Sequence, residues 1–122
     1  MELLPDYLSA QIPTLLSQEQ VDFDDKIVYT KYFIHDAGWT WFVTEGQEQD
    51  RNYVFFGYVI SQTGEEWTNF YLSELEEVNE KAEELKGVYD MKGLSVERVT
   101  DFQPTEFRNA IAQLRKQQSS RD

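Results

Sequence analysis

The side chains that could carry out catalysis are few and far apart in this sequence. Glu45 and Glu97 could pair as a general acid and a general base if the fold brings them together. A ligand pocket built around them would be lined by Trp41, Glu45, Tyr58, Glu97 and Arg98. The simpler interpretation is structural, in which Glu45 or Glu97 forms an ion pair with Lys31 or Arg98. The sequence leaves both interpretations open.

Cofactor chemistry finds little support in the residue types. The chain has no cysteine, which excludes disulfides and thiolate chemistry. His35, in a predicted turn beside Asp36, is the single histidine, so a multi-histidine metal site is impossible and an exposed position is expected. The glycines are scattered and form no phosphate-binding loop. We therefore expect no cofactor, no metal, no catalytic residue and a non-enzymatic role.

Charge is the strongest signal in the composition. The 122 residues include 23 acidic and 11 basic side chains, which gives a formal net charge of -12. Such a field repels nucleic acids and anionic membranes and attracts basic surfaces. We therefore expect a protein partner with a basic, nucleic-acid-binding surface, on which carboxylates stand in for phosphates, and no direct contact with nucleic acid or membrane. The alternative is that the charge only maintains solubility.

The acidic residues that could form this surface lie in several segments. They are Asp22, Asp24, Asp25, Glu48, Asp50, Glu65, Glu66, Glu74, Glu77, Glu80 and Glu84. The hypothesis requires these carboxylates to gather on one face of the molecule.

The elements that must position these side chains indicate a single α+β domain over residues 1–122. Runs rich in β-branched and aromatic residues predict an antiparallel meander of about five strands. The predicted strands are Lys26–Ile34, Trp39–Glu45, Asn52–Ile60, Glu66–Leu72 and Leu94–Phe102, with a polar connection over residues 46–51. Three helices are predicted: an N-terminal one from Pro5 to about Gln11, a glutamate-rich one from Ser73 to about Lys86, and a C-terminal one from Pro104. Residues 116–122 are predicted to be a frayed tail.

Two local patterns carry further expectations. Ser73 and Glu76 have the spacing of a capping box at the start of the glutamate-rich helix. The strand Asn52–Ile60 has apolar residues at both odd and even positions, so both of its faces require cover. Either helices pack on both faces of the sheet, or one face presents aromatic side chains to a partner or to a second copy of the chain.

The order of several segments resembles domain-of-unknown-function family 2958. The segments that carry the resemblance are Ser17–Glu19, Ile27–Phe33, Trp39–Glu45, Phe55–Val59, Leu72–Glu76, Val96–Arg98 and Phe102. The resemblance extends from Ile12 to Phe102, while the stretch Asn79–Met91 is longer and more acidic than the family pattern and the C-terminal helix is extended. It implies a bacterial protein of plasmids, phages and other mobile elements, with a role in countering host defence such as a CRISPR effector or a restriction enzyme.

Location follows from what the sequence lacks. The N-terminal segment has neither the basic region nor the apolar run of a signal peptide. No segment has the apolar length needed to span a bilayer. We expect a cytoplasmic protein, in the host cell if a mobile element carries the gene.

Overall fold

The computed structural model describes residues 1–120, which form an α+β fold around one antiparallel sheet, as predicted. The strands are β1 (Ile27–Val28), β2 (Thr30–Ile34), β3 (Trp39–Gln49), β4 (Asn52–Ser61), β5 (Gly64–Tyr71), β6 (Glu97–Arg98) and β7 (Thr105–Glu106). The helices are α1 (Asp6–Gln11), α2 (Leu72–Leu85) and α3 (Phe107–Ser120), with a short 3-10 helix at Phe23–Asp25. The main sheet has the order β5-β4-β3-β2-β6, and β1 pairs separately with β7. The predicted meander therefore comprises β2 to β5.

The connection between β3 and β4 is shorter than the sequence suggests. Residues 46–49 continue β3, and only Asp50 and Arg51 form the turn. Both have left-handed φ angles, 51° and 66°, which is the geometry of a two-residue type I′ hairpin turn. The predicted polar connection over residues 46–51 is wrong, because residues 46–49 remain paired with β4 as part of strand β3.

Two predicted strands are broken by long-range contacts. The predicted strand Lys26–Ile34 divides at Tyr29, since Ile27 pairs with Glu106 of β7 while the residues after Tyr29 pair with β3. The predicted strand Leu94–Phe102 shrinks to β6. Its earlier part is taken from the ladder by Asn79 of α2, whose side chain accepts a hydrogen bond from Val96 N (2.6 Å) and donates one to Val96 O (3.1 Å).

The helix ends also differ from the prediction. Helix α2 begins at Leu72, and the Glu74 carboxylate accepts a hydrogen bond from Tyr71 N (3.1 Å). The predicted Ser73–Glu76 capping box is therefore wrong by two residues, since Tyr71 is the N-cap and Glu74 the N3 residue. The Ser73 hydroxyl instead accepts a hydrogen bond from Asn52 Nδ2 (2.9 Å). The C-terminal helix begins at Phe107 and not at Pro104, because residues 105–106 pair with β1.

Helix α3 continues through residue 120, so residues 116–120 of the predicted tail are helical. Fraying of this segment stays a prediction. The last two positions of that predicted tail lie outside the described residues.

Helices pack on both faces of the sheet, which is the first of the two alternatives predicted above. On one face, called here the α2 face, Tyr32, Trp41 and Phe55 pack with Leu8 of α1 and Leu75 of α2. On the other, called the α3 face, the core consists of Val28, Phe42, Tyr58, Ile60, Trp67, Phe102, Phe107, Ala110, Ile111 and Leu114. The strand predicted at Asn52–Ile60 has apolar side chains packed on both faces, as expected. Among residues 1–120, no helix combines the length and the apolar character needed to cross a bilayer.

Candidate functional site: an apolar cleft beside a buried carboxylate

A β-bulge in strand β3 determines where Glu45 points. Val43 pairs with Gly57 but Glu45 pairs with Phe56, so Thr44 is an extra residue in the ladder. Regular alternation would put Glu45 on the α2 face with Val43. The bulge moves Glu45 to the α3 face instead.

The Glu45 carboxylate is buried, with 3% of the residue exposed, and it anchors the loop that follows α1. One oxygen, Oε1, accepts a hydrogen bond from Leu16 N (2.8 Å), and Oε2 accepts one from Gln18 N (3.0 Å). Main-chain amides are effective partners for a buried anion, because charge-assisted hydrogen bonds offset its desolvation. Glu45 therefore fastens residues 13–22 to the sheet.

Gln18 extends this anchor into a buried polar network. Its Nε2 donates to Ile27 O (3.0 Å) and Thr44 O (2.9 Å), and its Oε1 accepts from Ile27 N (2.6 Å). The ammonium group of Lys26, a residue only 4% exposed, donates to the main-chain oxygen of Gln18. Within the described residues, no buried side-chain nitrogen or oxygen lacks a hydrogen-bond partner. The loop is thus held rigidly against β3.

Between this loop and the sheet lies an open cleft of about 590 Å³. Its floor is a row of three cross-strand partners, Glu45 on β3, Phe56 on β4 and Asn69 on β5. The row runs from the middle of the sheet to the edge strand, where Asn69 is exposed. The remaining lining residues are Leu15, Leu16, Glu19, Phe23, Lys26 and Gln47. The α3 helix therefore leaves this end of the α3 face without helical cover.

Two apolar side chains at the mouth of the cleft are unusually exposed. Leu16 is 70% exposed and has a left-handed φ of 71°, a conformation that costs an L-residue roughly 1–2 kcal/mol. Phe23 is 51% exposed, although its ring stacks on Trp67 with 4.7 Å between centroids. Strain and apolar exposure together mark a surface whose side chains have uses other than stability.

The pocket predicted from Trp41, Glu45, Tyr58, Glu97 and Arg98 does not form. Trp41 lies on the α2 face, while Tyr58 lies on the α3 face, where its hydroxyl donates to Glu65 (2.7 Å). Glu97 and Arg98 lie on β6, at the opposite edge of the sheet from the cleft. The prediction is wrong because Trp41 and Tyr58 lie on opposite faces of the sheet and the strand order puts Glu97 and Arg98 at its far edge.

The alternative prediction, an ion pair of Glu45 or Glu97 with Lys31 or Arg98, is also wrong. Among the described residues, neither Glu45 nor Glu97 takes part in an ion pair within 4.0 Å, and Glu45 is bound by amides instead. The Arg98 guanidinium donates to the Tyr7 hydroxyl (3.1 Å) and ties β6 to α1. His35 lies in an exposed turn, as expected, with Nδ1 2.9 Å from Asp36 Oδ1.

The acidic residues do not gather on one face. Asp25 of the 3-10 helix pairs with Arg108 of α3, and Glu65 of β5 pairs with Arg115 (3.0 Å), so both are partly neutralised on the α3 face. The hydrogen bond from Tyr58, assisted by the Arg115 guanidinium, holds the pKa of Glu65 below its ordinary value. The single-face expectation therefore fails for the group Asp22, Asp24, Asp25 and Glu65. Glu48 and Asp50 lie at the β3–β4 turn, and Glu66 alternates to the α2 face.

The remaining acidic candidates form one continuous surface on α2. Glu77, Glu80 and Glu84 lie on the side of the helix opposite the buried Leu75 and Ala82, Glu74 flanks them in the first turn, and all four are exposed. Lys81 lies among them, with Nζ 3.4 Å from Glu84 Oε2. We call these four glutamates the α2 acidic surface.

The cleft was missed at the level of sequence. Its signal was present as apolar residues in an otherwise polar loop, Leu16 and Phe23, but only the bulge and the strand register bring them to Phe56 and Asn69.

Comparisons with protein-family models, curated proteins and solved structures found no match. The resemblance to family 2958 stays an expectation.

Proposed function

We propose that this protein is a non-enzymatic binding protein that docks its α2 acidic surface on a basic surface of another protein. One observation carries the proposal: helix α2 has six glutamates and one lysine in 14 residues, and all six glutamates are exposed. Side chains three and four apart on a helix are about 5–6 Å from each other. The partner therefore contacts a series of closely spaced negative charges along one helix.

The cost of this arrangement supports a binding role. Glu80 has Glu76 and Glu84 four residues away on either side, and like charges at this spacing destabilise a helix. Glu83 and Glu84 also lie in the last turn, where the helix dipole favours cations. A helix under selection for stability alone would alternate the signs of its charges, so the surplus favours recognition.

A nucleic-acid-binding protein is the partner class that this surface fits best. Cationic grooves that bind phosphates are complementary to a row of carboxylates, and electrostatic steering can raise association rates by roughly 10- to 1,000-fold. The resemblance to family 2958 adds the expectation of a mobile-element protein that blocks a host defence complex. In this proposal the helix occupies the groove that would otherwise hold nucleic acid.

The test compares two variants of equal charge. The variant E77Q/E80Q/E84Q removes three charges from the α2 acidic surface, and the control E48Q/D50N/D101N removes three exposed charges elsewhere. Each immobilised protein is incubated with extract of a bacterial host at low salt, and bound proteins are identified by mass spectrometry. Duplex DNA is then used as the eluent.

The proposal predicts that wild type and the control retain the same nucleic-acid-binding protein, that duplex DNA displaces it, and that the α2 variant retains little of it. Equal retention by all three proteins, or retention that duplex DNA leaves unchanged, would contradict docking through the α2 acidic surface. Since the two variants have the same net charge, a general effect of acidity would lower retention in both.

A further inference from the structure

Strand β5 is an edge strand with free main-chain groups. It lies at the end of the main sheet and pairs only with β4. The two-residue turn at Gln62 and Thr63 makes Ser61 and Gly64 a hydrogen-bonded pair, and such pairs alternate along an antiparallel ladder. The main-chain N–H and C=O groups of every second residue, Glu65, Trp67 and Asn69, therefore point away from the sheet.

In the part of the chain that the structure describes, no other strand pairs with this edge, and no hydrogen bond engages the N–H groups of Glu65, Trp67 or Asn69. The Asn69 main-chain oxygen accepts a long hydrogen bond from Thr68 Oγ1 (3.4 Å), and the Tyr71 N–H at the end of the strand donates to Glu74. The strand contains no proline, no lysine and no bulge, which are among the usual devices that prevent an edge from pairing, and its two charged residues, Glu65 and Glu66, lie at its start. Eight residues of extended backbone are long enough to pair with another strand.

The free edge and the cleft are continuous. The row of Glu45, Phe56 and Asn69 forms the floor of the cleft and ends at the edge, so a strand added beside β5 extends that row by one position. The side chain opposite Asn69 on the added strand points to the same face as Asn69. It therefore lies at the mouth of the cleft, where Leu16 and Phe23 are exposed.

The charge of Glu66 indicates which side chain of the added strand would be favoured outside the cleft. Glu66 is exposed on the α2 face of β5, three residues from Asn69. An opposite-charge pair across neighbouring strands is favourable, whereas like charges directly opposite each other are unfavourable. A second copy of this chain is a poor occupant, because it carries the same net charge of -12.

We propose that the β5 edge captures an extended segment of a partner protein by strand addition, with an apolar side chain of the segment in the cleft and a basic side chain opposite Glu66. In this arrangement main-chain hydrogen bonds provide affinity, and the cleft and Glu66 provide specificity. This goes beyond docking through the α2 acidic surface, and each surface can be tested without the other.

The first experiment selects peptides from a random displayed library on the immobilised protein. The expected consensus has an apolar residue and a Lys or Arg three positions apart within a strand-forming sequence. A synthetic peptide of the consensus is then titrated by calorimetry, together with versions N-methylated at one amide at a time. Strand addition predicts a period of two: methylation of amides that face β5 weakens binding roughly tenfold, and methylation of the alternate amides has little effect.

The second experiment changes the protein at one outward-facing amide. Asn69→Pro removes an N–H that makes no bond within the sheet, and proline is tolerated at such edge positions. Asn69→Ala keeps the N–H and is the matched control. We expect N69P to bind the consensus peptide roughly tenfold more weakly than N69A, because both variants lack the asparagine side chain and only N69P also lacks the N–H. The variant E77Q/E80Q/E84Q should bind the peptide like wild type, which separates this proposal from the previous one.

Three results would overturn strand addition: a library that yields no enriched sequence, an N-methyl scan without alternation, or equal affinities of N69P and N69A. Amide hydrogen exchange adds a measurement on the unaltered chain, since peptide binding should slow exchange at Trp67 and Asn69. If the same amides were protected without peptide in a concentration-dependent way, the occupant of the edge would be a second copy.

Discussion

At the residue scale, Glu45 shows how one buried carboxylate can organise a loop through hydrogen bonds to main-chain amides. Both of its oxygens are used by the amides of Leu16 and Gln18, and these two bonds hold the wall of the cleft. The role could not be predicted from sequence. The bulge at Thr44 reverses the direction of Glu45, and its partners are main-chain groups that carry no sequence signature.

Glu45→Gln should therefore lower the free energy of unfolding by about 1–3 kcal/mol. The carboxamide places an NH₂ group against a main-chain N–H, which leaves a buried donor without an acceptor. Urea denaturation measures the effect. Glu48→Gln, on the exposed end of the same strand, is the control and should change the free energy by less than about 0.5 kcal/mol. Equal effects of the two substitutions would contradict the anchoring role.

Leu16 allows a test of whether the backbone strain at its positive φ angle serves binding at the cleft. Glycine adopts a φ of 71° without steric cost, and an exposed leucine contributes little burial. We expect Leu16→Gly to leave the free energy of unfolding unchanged or to raise it by up to about 1 kcal/mol, and to weaken binding of the apolar consensus peptide. Thermal denaturation and calorimetry measure the two effects. A loss of stability without a loss of peptide affinity would mean that Leu16 serves the fold.

The pair of Tyr58 and Glu65 predicts a pH dependence. Since the pKa of Glu65 is lower in the folded protein than its ordinary value of about 4.3, the carboxylate adds stability above that value, and the contribution is lost as the pH falls through the folded pKa. Tyr58→Phe removes the hydrogen bond and should raise the pKa of Glu65 toward its ordinary value. Carboxyl ¹³C chemical shifts measured against pH report this change. An unaltered Glu65 titration in the variant would show that the bond is not its cause.

At the element scale, local propensity predicted the three helices and the four strands of the meander, because each is a continuous run of suitable residues. It failed where backbone partners are distant in sequence. Tyr29 interrupts a β-rich run only because β1 pairs with β7, and residues 105–106 are extended only because β1 is there. Asn79 shortens β6 through hydrogen bonds that reach 17 residues along the chain.

Helix α2 should become more stable when its charge is relieved. Glu80→Gln removes repulsion from Glu76 and Glu84 and should raise the free energy of unfolding by about 0.5–1 kcal/mol. Glu74→Gln is the contrasting control: it weakens the bond to Tyr71 N at the positive end of the helix and should lower stability by a similar amount. Urea denaturation at low salt measures both. A Glu80→Gln variant less stable than wild type would contradict a functional origin for the charge.

At the scale of the whole molecule, the composition predicted an acidic protein but not the distribution of its acids. Helices on both faces of one sheet place Glu77 and Asp25 on opposite sides, and the arginines of α3 pair with acids of the α3 face alone. The sheet order also explains why the predicted pocket does not form, since β6 lies at the edge farthest from β5. Net charge is additive along a sequence, whereas a surface and a pocket depend on which strands are neighbours.

The proposed function depends on the α2 acidic surface more than on any other feature. The most direct test is the affinity for the captured partner across a series of salt concentrations, for wild type, E77Q/E80Q/E84Q and the equally charged control E48Q/D50N/D101N. Exposed charges are screened within about 10 Å at 0.1 M ionic strength, so contact through this surface gives wild type and the control the same steep loss of affinity with salt. The α2 variant should bind weakly with a shallower dependence. Identical salt dependences for the two variants would contradict docking through the α2 acidic surface.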